Sequence, residues 1–191
     1  MRGTVAVMVT RRAARDLAKK KLAADLPRRW RHVQAVAAQA ERLSGLVGGS
    51  GELLVAAAWL HDIGYAPSLV VSGFHPLDGA RFLREEGADD RLASLVAHHS
   101  CAVHEARVRG LDGVLLAEFK REESPTYDAL VFCDMTTGPA GESVTYRARM
   151  DEIQERYGPG HEVTQAVELG RSDLTGCCER TLARLGDARV S

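Results

Sequence analysis

Five residues carry types and spacing that could do chemistry: His32, the adjacent pair His61-Asp62, His99 and Asp134. A sixth, His75, lies between two of them. Most of them fall on the apolar stripe of a helix or at its edge, where imidazole and carboxylate are costly unless something binds them. Neutral imidazole and ionised carboxylate are donors for zinc, iron, manganese, nickel or cobalt. The set therefore points to one or two divalent transition-metal ions and to a metal-dependent enzyme.

The pair His61-Asp62 has a specific use. Neighbouring side chains on a helix point about 100° apart, so the two flank a metal position from different directions. Asp62 has two oxygens and can bridge two ions, whereas His61 binds only one of them. With His75 and His99 as a second cluster, a two-ion site comes within reach. Such a pair activates a bridging water and polarises a phosphoryl oxygen. Arg29 precedes His32 by one helical turn, which makes it a candidate phosphate contact, though a surface arginine reads the same way. His98 and His104 read as surface residues and His161 as a loop residue. Cys101, Cys133, Cys177 and Cys178 form no C-x-x-C pair and read as reduced, buried, small apolar side chains.

These donors need helices to position them. After Pro27, Trp30, Val33, Val36, Ala37, Ala40, Leu43 and Val47 recur at three- and four-residue steps, one buried stripe ended by Gly48-Gly49. A second helix runs from about Gly51 to Asp62, with Leu54, Ala57, Ala58 and His61 in phase; Gly64 and Pro67 break it. After a loop, His75 takes the capping position before Pro76, and that helix ends near Gly87. Asp89 or Asp90 opens another, with Leu92, Leu95, Val96 and His99 on one side. Arg91, Ser94 and His98 fall on the other, polar side, so the phase selects His99 as the inward histidine. Ser124-Pro125 starts a helix in which Tyr127, Leu130, Val131 and Asp134 share a phase. Further helices are expected over about 143–157 and 172–185, joined by 158–170. No convincing alternating strand appears, and the fold class is all-α. The expected organisation is a loose segment 1–10, a metal-binding helical core 11–138 and C-terminal helices 139–191 on the same domain.

With 191 residues, 45% hydrophobic and 27% charged, the chain reads as an ordinary globular protein with a sizeable core. Aromatics at 5% favour helix over sheet. The net charge of −1 gives the whole molecule no strong pull on polyanions. Residues 1–31 are rich in Arg and Lys, but no aromatic or glycine pattern of a nucleic-acid module accompanies them. Nucleic acid is therefore not the expected partner. The apolar run Val5–Val9 is too short to span a bilayer, and the basic cluster follows it rather than preceding it. The expectation is a cytoplasmic protein without membrane attachment, its oligomeric state open.

The order H…HD…H…H…D resembles the HD superfamily of metal-dependent phosphohydrolases. The matching text is Arg29-Trp30-Arg31-His32-Val33, Trp59-Leu60-His61-Asp62-Ile63-Gly64, Gly73-Phe74-His75-Pro76-Leu77-Asp78-Gly79-Ala80, Leu95-Val96-Ala97-His98-His99-Ser100 and Phe132-Cys133-Asp134. The resemblance covers about residues 27–135 and implies a core of five or more helices. It implies that His32, His61, Asp62 and Asp134 hold a first ion. His75 and His99 then add a second, with Asp62 between the two. The six-ligand version is similar both to HD hydrolases that split dinucleoside tetraphosphates and to HD di-iron oxygenases that cleave carbon–phosphorus or carbon–carbon bonds. Ligand pattern alone does not separate these two; a third alternative, a metal-binding regulatory module without catalysis, would be marked by a missing ligand, and none is missing. The favoured expectation is hydrolysis of a small phosphate ester or anhydride, with Asp62 holding the ions and steering the nucleophile. Two departures stand out: Gly64-Tyr65-Ala66 replaces the lysine many HD enzymes carry after the pair, and His98-His99 runs into Ser100-Cys101 rather than an HHE–GYP signature.

Overall fold

The computed structural model describes residues 9–190. Its helices are α1 (Arg11–Leu22), α2 (Pro27–Leu43), α3 (Gly51–Leu60), α4 (His75–Glu85), α5 (Asp90–His98), α6 (Val103–Val108), α7 (Asp112–Glu118), α8 (Pro125–Met135), α9 (Tyr146–Tyr157) and α10 (Glu162–Val190). Among the described residues no strand forms, only an isolated bridge between Thr137 and Ser143. The fold is all-α.

Two helices are apolar nearly all round and form the centre. In α3, Leu54 to Ala58 and Leu60 are all buried. In α8, every residue from Thr126 to Cys133 is buried. The other helices present a single stripe. On α1 it is Ala14, Ala18 and Leu22; on α2 it is His32, Val33, Val36, Ala37, Ala40 and Leu43. Both α1 and α2 pack on α3, α5 packs between α3 and α4, and α10 lies along α8 and α6. Two buried-edge ion clusters fasten this arrangement. Glu118 of α7 meets Arg81 and Arg84 of α4, and Asp128 of α8 meets Arg180 and Arg184 of α10.

Local signals set the helix starts. Thr10 and Ser124 accept hydrogen bonds from the N–H groups of Ala13 and Tyr127. Asp89 caps α5 through Arg91 N–H. Pro27, Pro76 and Pro125 occupy first-turn positions, where the missing N–H costs nothing. Pro27–Tyr65 is apolar and long enough to cross a membrane by length and composition. It is a hairpin of two helices of 17 and 10 residues, each shorter than the roughly 20 a span requires, packed on one another.

The structure corrects several expectations. The α2 stripe stops at Leu43, and residues 44–50 tighten into 3-10 turns, so Val47 is not on it. His75 is the first residue of α4 and Phe74 its cap, a one-residue difference. The last helix begins at Glu162 rather than 172, leaving only 158–161 as connector. Gly170 sits inside that helix as a packing residue: a Cβ there would meet the His104 ring at 2.8 Å. His104 is accordingly not a surface residue but 8% exposed, bonded to Asp173 at 3.0 Å. His98 is also buried, at 1% exposure, with the end of α7 against its ring. Its Nε2 meets the Phe119 carbonyl at 2.9 Å. The loose segment proposed for 1–10 falls mostly outside the described residues.

Candidate metal centre

The six donors come from separate elements and converge. His32 projects from the middle of α2, His61 and Asp62 from the end of α3, His75 from the start of α4. His99 follows α5 and Asp134 closes α8. Two groups result: His32, His61 and Asp134, and Asp62, His75 and His99, with one ligand atom of each residue within 4.8 Å of the others in its group. His98 belongs to neither, so the helical phase chose the histidine that reaches Asp62.

Asp62 joins the groups. Its Oδ2 lies 3.3 Å from His61 Nε2 and 3.7 Å from His32 Nε2. Its Oδ1 lies 3.4 Å from His75 Nε2 and 3.8 Å from His99 Nε2. This close approach depends on Gly64. A Cβ at that position would stand 2.0 Å from the His75 carbonyl oxygen and 2.7 Å from Gly79 N, so only glycine lets the turn after Asp62 lie against the start of α4.

Backbone carbonyls set the imidazole tautomers. Nδ1–H of His32 donates to Gly138 O at 3.0 Å, that of His61 to Ala58 O at 2.8 Å and that of His99 to Val96 O at 2.7 Å. Each bond leaves Nε2 as the donor atom toward an ion. Those nitrogens crowd: His61 and His32 Nε2 are 3.4 Å apart, His75 and His99 Nε2 3.2 Å. Lone pairs so close, lined by two carboxylates, are unfavourable unless positive charge lies among them. The donor set thus fits a divalent transition-metal ion.

The electrostatics of the two groups differ. Burial alone would lift the Asp62 carboxyl, but Arg29 and then His61 and His75 hold it well below the ordinary carboxylate range. Asp134 is likewise held low against burial, by the His32 hydrogen bond at 2.9 Å and the His61 charge. Burial opposes a proton on His61, yet Asp62 and Asp134 raise it to about 9. Burial, with His75 and His61 beside it, pushes His99 down to about 4. Burial lowers His75 too, against the pull of Asp62.

Arg29 is not a free surface arginine. Its Nη1 meets Asp62 Oδ2 at 2.7 Å, and its guanidinium lies 4.1 Å over the Tyr65 ring. Tyr65 stacks in turn on His75, centroids 3.8 Å apart. Sequence reasoning missed Tyr65, the Gly138 carbonyl, and Ser100, whose hydroxyl donates to Asp134 Oδ2. Ser100 and Cys101 both have positive φ, 50° and 56°, immediately after His99. Non-glycine residues take up this region only when the surroundings hold them there. Ser-Cys after a histidine carries no sequence signal for it. The four cysteines are buried free thiols as expected, and none joins either donor group among the described residues.

The family model of the HD domain matches residues 29–133. This chain belongs to the HD domain family. Five of the six donors fall inside the matched stretch of the HD domain, and Asp134 is the residue directly after it. HD domains are generally those of metal-dependent hydrolases, which agrees with the donor chemistry. Neither the curated proteins nor the solved structures contain a match to the chain.

Proposed function

We propose that this HD domain protein is a metal-dependent phosphohydrolase acting on a small phosphate ester or anhydride. The observation that carries the reading is the division of the Asp62 oxygens between two groups of donors. His32, His61, Asp62 and Asp134 would hold one ion; His75 and His99 would hold a second, with Asp62 shared. Iron, manganese, cobalt, nickel and zinc all suit these donors. Bound there, such ions lower the pKa of water and offset charge on phosphoryl oxygens.

The protein side chains supply the rest. Carbonyl-anchored Nδ1–H groups fix the imidazoles of His32, His61 and His99, and Tyr65 stacks on that of His75, so little reorganisation is needed on binding. Asp62 and Asp134 stay ionised at neutral pH. Arg29 contacts Asp62 and also lines a surface cleft of about 320 Å³ with Arg28 and Arg156. A guanidinium there can exchange one carboxylate contact for a phosphoryl oxygen.

Metal analysis of protein purified without added metal, followed by a phosphate-release screen with iron, manganese, cobalt and nickel, tests the reading. Phosphate release without oxygen supports it. Substrate-dependent oxygen uptake by the iron-loaded protein without phosphate release contradicts it and assigns the centre to an oxygenase. Metal-loaded protein inert in both assays points to a regulatory module.

A further inference from the structure

A second wall of the centre belongs to the C-terminal helices, beyond the HD match. A cavity of about 100 Å³ is bounded on one side by His75, His99 and Asp134 and on the other by Arg149 and Ile153 of α9 with Leu174 of α10. This falls below the roughly 300–1,000 Å³ of pockets for larger ligands. Among the described residues, no tryptophan, tyrosine or phenylalanine lines it, so a nucleobase finds no stacking platform. The apolar wall suits a few aliphatic carbons.

Arg149 is the exception in that wall. It is only 8% exposed, and its Nε has no hydrogen-bond partner. Its Nη1 donates to Glu152, a carboxylate that also receives Arg156. A guanidinium has five N–H groups and cannot shed its charge. Burying one with an N–H unmatched is unfavourable, unless an anion completes the set. Of the carboxylates that line the cavity, Asp134 belongs to the donor groups and Glu105 is engaged by Arg109 at 2.8 Å. Arg29 already serves the Asp62 side of the centre, so Arg149 meets the far end of whatever binds.

We infer that Arg149 recognises a second negative charge on the substrate, which is a short aliphatic phosphate ester bearing a distal anionic group rather than a nucleotide. The inference rests on the phosphohydrolase reading for the reacting end of the substrate, but its test does not depend on turnover. Calorimetric binding of 2-phosphoglycolate, ethyl phosphate and AMP to the full metal-loaded chain compares a distal carboxylate, none, and a nucleotide. The wild type is expected to bind 2-phosphoglycolate about tenfold or more tighter than either other probe. Arg149→Met should lose about tenfold for 2-phosphoglycolate and stay within about twofold for ethyl phosphate, which serves as the internal control for folding. Arg149→Lys, which keeps the charge without the fork, should fall between and remains informative if the methionine variant does not fold. Equal losses for both phosphates, an unchanged ratio in the lysine variant, or AMP as the tightest wild-type probe would overturn the inference. Should the binding pattern hold while no probe releases phosphate, Arg149 keeps its role and the hydrolase reading fails instead.

Discussion

The two donor groups are built to different standards. His32, His61 and Asp134 come from α2, the end of α3 and α8, and both rings are anchored to carbonyls, as His99 is in the other group. Asp62, His75 and His99 lie at helix ends and on short turns. His75 is 15% exposed, and its notable support is a face-to-face stack on Tyr65 rather than the core. The imidazoles differ as well: Asp62 and then Asp134 draw a proton onto His61, whereas burial strips protons from His75 and His99. On the proposed two-ion reading, a group with a protonatable His61 beside one whose imidazoles stay neutral would make two sites of unequal affinity, with Asp62 shared between them.

Removing that common residue should have the largest effect. Asp62→Ala is expected to abolish phosphate release and to strip both ions, as read by metal content per chain on protein that still shows full helical circular dichroism. Retention of either ion would break the claim that Asp62 joins the groups.

The next contrast separates neighbours. His99→Ala should lose the second ion with the first retained. His98→Ala should keep full metal content and instead destabilise the fold by about 1–3 kcal/mol, because it removes a buried ring bonded to Phe119 O. Metal analysis alongside thermal melts distinguishes the two; the reverse pattern would mean that the wrong histidine points inward.

Protons sharpen the comparison. With no ion bound, His61 has its folded pKa raised from 6.5 to about 9, so its stabilising contribution is complete below about 6.5 and lost as pH rises through about 9. A metal-bound His61 must be neutral, so ion binding releases that proton below pH 9. Affinity of the first site should therefore rise by up to about tenfold per pH unit between 7 and 9 and level off above. A flat titration across that range contradicts the account.

Smaller effects should follow at the supporting residues. Tyr65→Leu leaves His75 unstacked and should weaken the second ion by about tenfold, at the low end for residues that orient a ligand, with the first unchanged. Ser100→Gly should relieve the positive φ and raise stability by up to about 1 kcal/mol, while loosening Asp134 and weakening the first ion by a few-fold. Opposite movement of melting temperature and metal affinity is the signature.

Much of this was legible in the sequence. The stripe on α2 and the caps at Asp89 and Ser124 depend on local signals, and the structure follows them; the phase on α5 places His99 near Asp62 but wrongly exposes His98. The failures are non-local. The Phe119 carbonyl, twenty-one residues on, meets the ring of a buried His98, an outcome no property of α5 itself encodes. Gly170 reads as the end of a connector, yet α10 runs through it, and it faces His104 across a tight contact. The supports of the centre were hidden for the same reason. The Gly138 carbonyl and Arg149 lie far along the chain from the histidines they accompany, and only the packing of α8, α9 and α10 brings them near.

The most direct measurement is the number of ions per chain in the wild type and in a His75→Ala, His99→Ala double variant, by metal titration with a mass-spectrometric count. The account predicts two ions falling to one, the survivor keeping its affinity. Two ions in both proteins, or none in the wild type, would contradict it.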